Sequence, residues 1–170
     1  MILAIDPGNI ESGYVMVDDN LRTIEKGKIP NEELRFKLQQ DMFNGKVTDI
    51  AIEMIASYGM PVGVEVFETC IWIGRFLQTI KTFYYGRGIN IKYIYRKDEK
   101  MNICHSMKAN DTTIKRALVD RFAPGQKNYG KGTKKEPGWF YGFKADVWAA
   151  YAVGVTYHDM YLKDGDINEN

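Results

Sequence analysis

The feature that most constrains this chain is a short apolar run that ends in a carboxylate. Residues 2–5 are all apolar, Asp6 follows, and Pro7-Gly8 stop the run. A short apolar run bounded by a turn signal predicts a strand buried on both faces. A charge at the end of such a strand is costly unless a metal ion or hydrogen bonds compensate it. Asp6 is equally suited to capping the Asp-Pro-Gly turn, so this stretch alone leaves both roles open. A second apolar run, Tyr14-Val-Met-Val17, follows Gly13 at hairpin distance.

Further along, Asp18-Asp19-Asn20 predicts a turn and residues 22–29 a third strand. Pro30-Asn31 opens a helix, with Asn31 as N-cap, Glu32 and Glu33 in the first turn, and Gly45 at its end. Leu34, Leu38 and Met42 give that helix one apolar face. Residues 47–54 predict a strand with Asp49 and Glu53 as its odd members. Strand, helix, strand in this order implies a crossover that sets the new strand parallel to the first. A long helix over about 64–85 carries two apolar stripes, which places it centrally or at a subunit interface. A last strand over 89–95 follows, then a polar stretch, 96–110, without a readable pattern. Asn110 or Asp111 caps a helix over about 112–122, and the final helix spans about 144–161.

A chain of 170 residues with 45% apolar content is most simply one domain, 1–170. There is no apolar run of membrane-spanning length and no signal-peptide pattern at the start. Cys70 and Cys104 are far apart, one in a helical and one in a loop-like region, and read as free thiols of a reducing compartment. Cys104-His105 has no matching cluster elsewhere, which argues against zinc. Net charge is only +1, so charge alone does not advertise nucleic-acid binding. Its distribution is more telling. Five lysines (Lys127, Lys131, Lys134, Lys135, Lys144) stand against one acid, Glu136, in a basic loop and its flank, while acids gather in a tail over about 163–170.

Three carboxylates stand out by position: Asp6 at the end of the first strand, Glu53 near the end of the crossover strand, and Asp146 in the first turn of the last helix. If the two strands are parallel neighbours, about 4.8 Å apart, one divalent ion spans Asp6 and Glu53. Each acid also has an ordinary reading, as a strand-end salt bridge for Glu53 and as a favourable first-turn acid for Asp146. Only the joint pattern favours metal-dependent phosphodiester chemistry.

Ile-Asp-Pro-Gly at 5–8 with Gly13, Ala-Ile-Glu at 51–53, and the Asp-bearing last helix resemble the RuvC family of Holliday-junction resolvases, within the RNase H-like superfamily. The resemblance runs through most of the chain in order. It implies an α/β fold with a central mixed sheet of about five strands flanked by helices. It also implies a homodimer, dependence on Mg²⁺ with Mn²⁺ as substitute, and paired nicks in four-way DNA junctions. The small size and basic insert are more similar to phage or prophage members, acting in the cytoplasm of a bacterial host. By resemblance Asp6, Glu53 and Asp146 are the catalytic, metal-holding acids. The family carries one more acid on the last helix. Here Ala149 takes its place or, if Asp146 is that last acid, Phe143 stands where its partner would be. Asp159 is no substitute, because 13 residues at about 100° each put it some 140° away around the helix.

For DNA contact the sequence offers Lys127, Lys131, Lys134, Lys135 and Lys144 to phosphates. The resemblance adds Tyr58 and its neighbour Met60, with Tyr58 stacking on a base at the junction centre. Arg75, Arg96, Lys97, Lys115 and Arg116 are weaker candidates, and Trp139 and Phe140 read as core anchors of the last helix. Three other functions stay open at this point. One is a junction-binding protein that cuts weakly for want of an acid at 149, and another is an RNase H-like nuclease acting on RNA. A sugar-kinase-like ATPase is disfavoured by length and by the lack of later glycine-rich loops.

Overall fold

The computed structural model describes residues 1–40, 46–57, 59 and 61–163. Five strands form one mixed sheet: β1 (Ile2–Asp6), β2 (Glu11–Val17), β3 (Thr23–Pro30), β4 (Asp49–Met54) and β5 (Asn90–Tyr95). Their spatial order is β3-β2-β1-β4-β5. The first three are antiparallel neighbours, and β4 and β5 run parallel to β1. Five helices accompany them: α1 (Asn31–Gln39), α2 (Val64–Phe83), α3 (Arg96–Cys104), α4 (Asp111–Phe122) and α5 (Ala145–Tyr161). This is the predicted RNase H-like α/β arrangement.

Side chains alternate across a strand, so β1, β2, β4 and β5 feed two cores. Leu3, Ile5, Tyr14, Met16, Ile50 and Ile52 pack with Leu34, Leu38, Ile73, Phe76 and Ile80 of α1 and α2. Ile2, Ala4, Val15, Val17, Ala51 and Ile94 pack on the other face with α4 and α5. The helix enclosed on all sides is α5, not α2. Every residue from Val147 to Tyr157 is buried except Ala149. A helix that is apolar all round belongs inside a core. By contrast α2 covers the sheet with one face and leaves Val64, Phe67 and Ile71 at 69%, 60% and 56% exposure on another.

Several local expectations are corrected. Asn31 is not an N-cap; Pro30 holds that position without a side-chain bond. Asn31 instead donates from Nδ2 to the Gly8 carbonyl at 2.9 Å and accepts the Ser12 hydroxyl at 2.6 Å, bracing the turn after β1. Asn110 is the cap of α4, accepting the Thr113 amide at 3.0 Å. The stretch 96–110 contains α3, and Cys104 closes that helix rather than lying in a loop. Gly45, Met42 and the tail from Asp164 lie outside the described residues. Asp49 is a buried acceptor for Tyr157 Oη at 2.6 Å and Asn90 Nδ2 at 3.0 Å, at the sheet edge remote from Asp6.

Three helices are clamped by Asp159. Its carboxylate accepts Arg121 Nη1 and Nη2 of α4 at 2.5 and 2.8 Å and Asn102 Nδ2 of α3 at 3.0 Å. Burial alone would raise its pKa, but Arg121 and Asn102 outweigh it and bring it down to about 2. A depressed folded pKa stabilises above the unfolded value, and that gain is lost as pH falls. Acid titration from pH 5 to 2, followed by circular dichroism, is therefore expected to weaken the fold. Asp159→Asn should remove about 1–2 kcal/mol of that pH dependence after allowance for solvent screening.

Candidate active site

The parallel pairing of β1 and β4 matches Ala4 with Ala51 and Ile5 with Ile52. The same register continued one step sets Asp6 beside Glu53. Both follow an alanine by two residues, so both face the α5 side of the sheet. On the other flank, β1 pairs Asp6 with Gly13 of β2. A Cβ at Gly13 would collide with the Asp146 carbonyl and stand 3.0 Å from the Asp146 Cβ. The first turn of α5 thus rests directly on the backbone of β2, and the missing side chain at 13 lets Asp146 approach Asp6. Gly8 is similarly required, because a Cβ there would meet the Glu11 carbonyl.

The structure brings the three expected acids to one sheet edge and adds a fourth that the sequence did not reveal. Glu99 of α3 is fully buried beneath the end of β5. The helix starts at the end of that strand, where Asp98 accepts the Tyr95 amide at 3.0 Å and sets its phase. Glu99 then turns inward. Glu53 stands between Asp6 and Glu99, within hydrogen-bonding reach of each. Burial, then Glu53, then Glu99 and Asp146 push the Asp6 carboxyl up to about 9. Burial and Glu53 push Glu99 up to about 8, against the pull of Arg96. Like charges gathered in a poorly solvated corner favour the protonated form, as happens at functional sites.

Two cations partly balance the cluster. Arg96 Nη1 donates to Glu99 Oε2 at 2.5 Å and its Nη2 bonds Asp111 at the start of α4. Lys28 Nζ of β3 lies 3.0 Å from Asp146 and 3.5 Å from Glu11. As the side chains stand, no three described acids form a ready ion cage. The donor set nonetheless fits a hard divalent cation. It is all carboxylate, and the buried Glu99 Oε1 finds no hydrogen-bond partner among the described residues. Holding an ion would draw Asp146 from Lys28 and Glu99 from Arg96.

The basic segment is not an open loop. Gly132 bridges Pro137, the Gly138 amide bonds the Lys131 carbonyl and the Phe140 amide bonds that of Gly130, which makes a small hairpin with Lys134 and Lys135 near its tip. Lys127, Lys134 and Lys135 point to solvent. Lys131 and Lys144 instead line a cavity of about 310 Å³ between α4 and α5, with Arg96, Lys115, Trp148 and Ala149. Phe140 is buried and Trp139 Nε1 donates to Tyr151 Oη at 3.0 Å, so both anchor α5 as expected. Arg75 stacks on Trp72 of its own helix. Tyr58 and Met60 lie outside the described residues.

Comparison with known proteins bears on the fold. No family model matches the chain, and no curated protein does. Among solved structures it is similar to RuvC of Thermus thermophilus in complex with a Holliday junction substrate, with TM-score 0.62 and 14% identity over 94% of this chain and 95% of that one. A second Thermus thermophilus RuvC structure gives TM-score 0.62 and 14% identity, covering 96% of each chain. The Fowlpox virus resolvase, in complex with Holliday junction DNA, gives TM-score 0.50 and 13% identity over 94% of this chain and 99% of that one. The chain has the fold of the RuvC-type resolvases, and does so across nearly its whole length.

Two substitutions test the site. Gly13→Ala forces α5 off β2 and should cost about 1–3 kcal/mol in urea unfolding. Asp6→Asn removes one of the crowded carboxylates and should raise the thermal midpoint of the metal-free protein at pH 7.

Proposed function

We infer that the protein is a metal-dependent endonuclease that cleaves four-way or otherwise branched DNA by paired nicks. The observation that carries this reading is the meeting of Asp6, Glu53 and the Asp146-bearing helix at one edge of two parallel strands. The fold shared with resolvases solved on Holliday junctions supports it.

Asp6, Glu53 and Asp146 would hold Mg²⁺ or Mn²⁺, which supplies positive charge to the attacking water and the leaving oxygen. Before that, Asp6 and Glu53 share a poorly solvated corner in which protonation relieves their repulsion. Lys28 of β3 pairs with Asp146 in the metal-free protein. Lys131 and Lys144, with Lys115 beside them, offer a cationic rim to a DNA phosphate next to the acids. Lys127, Lys134 and Lys135 extend that surface outward, and Tyr58 is the candidate for stacking on a base at the junction centre. The exposed stripe of Val64, Phe67 and Ile71 on α2 is the proposed homodimer face, which would place two sites for paired cuts.

Ala149 supports a second reading, a junction-binding protein that cleaves weakly. This residue lines the α4–α5 cavity without a carboxylate to offer. Cleavage of a labelled four-way junction separates the two, with duplex, flap and RNA–DNA hybrid beside it and Mg²⁺, Mn²⁺ or EDTA present. Paired metal-dependent nicks confined to branched DNA are expected. Asp6→Asn should slow them on the order of 10²–10³-fold while junction binding persists. Binding without nicks in either metal would favour the second reading, and turnover on the hybrid alone would replace both with an RNA-directed nuclease.

A further inference from the structure

We propose that Glu99 is a metal ligand of this site, supplying from α3 the carboxylate that the last helix lacks. This rests on the metal-dependent reading above. Glu99 has no solvent exposure, so its charge was not placed for solubility. Its Oε2 is engaged by Arg96, whereas its Oε1 is buried with no hydrogen-bond partner among the described residues. An orphaned buried carboxylate oxygen is costly and calls for a ligand. The adjacent Glu53 brings a second carboxylate into the same corner, and acids gathered there create a demand for positive charge.

Topology explains why the position works. β1, β4 and β5 are consecutive parallel strands, and their carboxyl ends lie side by side. The first delivers Asp6 and the second Glu53. The third delivers Glu99 four residues after its last residue, Tyr95, on the first turn of the helix it feeds. Ala149 of α5 and Arg96 of α3 line the same cavity. Glu99 thus adds a fourth carboxylate to Asp6, Glu53 and Asp146. Arg96 is then the counter-ion of Glu99 in the metal-free protein and yields the carboxylate when a cation arrives, keeping its second bond to Asp111.

Mn²⁺ binding to the full chain tests this, read by electron paramagnetic resonance and by calorimetry, with thermal unfolding measured without metal. Glu99→Gln keeps size and shape. It is expected to weaken Mn²⁺ binding about tenfold or more, or to remove one bound ion, while the metal-free protein unfolds at the same temperature or higher. Glu99→Asp should recover part of the affinity. Unchanged Mn²⁺ affinity and stoichiometry in Glu99→Gln would overturn the assignment. So would a lower metal-free midpoint with wild-type binding, which marks a purely structural partner of Arg96. Asp6→Asn run in parallel keeps the two claims apart. If it abolishes binding and Glu99→Gln does not, only the role of Glu99 fails. If neither affects binding, the site itself fails.

Discussion

Mutual repulsion among carboxylates packed into one buried corner is the constraint around which this molecule is arranged. Acids at the ends of β1, β4 and β5 would separate if their carriers could move. The sheet prevents that, because backbone ladders fix β1 against β4 and β4 against β5 residue by residue. The two hydrophobic cores then hold the helices to the sheet. Burying one large apolar side chain is worth about 1.5–3 kcal/mol. A handful of such residues is enough to offset the strain of an acidic cluster. A bound cation would relieve the same repulsion.

Cations are placed so that they temper the cluster without cancelling it. Lys28 and Arg96 approach from opposite sides, and each is shared with a second acid, Glu11 in one case and Asp111 in the other. Shared partners hold less tightly than exclusive ones. By contrast the bidentate bond of Arg121 to Asp159 is structural and lies on the far part of α5. The same helix therefore carries one acid whose partner is fixed and one whose partner is only loosely committed.

Asp6 and Glu53 were legible because each sits at the end of a strand that hydrophobic pattern alone predicts. Their neighbourhood followed from the crossover rule, and the observed register bears it out. Asp146 was legible as a first-turn acid, although the contact through Gly13 that positions it depends on tertiary packing. Glu99 was hidden in Arg-Lys-Asp-Glu-Lys, a run that reads as a solvated surface. The spacing of Arg96 and Glu99 by three residues on one helical face was the available signal, but that face also needs a strand end to shelter it. The central role of α5 over α2 was missed for a related reason. Both helices are apolar enough to be buried, and only the sheet decides which one it encloses.

Two small residues, Gly13 of β2 beneath the first turn of α5 and Gly154 at its middle against Ala4, seat the helix on the sheet at two points. Two seats fix a rod's height and its tilt together. The orientation of Asp146 is thus inherited from the sheet, with Trp139 and Phe140 at the base of the hairpin bracing the helix and the hairpin tip taking no part. A change at the hairpin tip, around Lys134 and Lys135, would therefore alter surface charge without moving the first turn of α5.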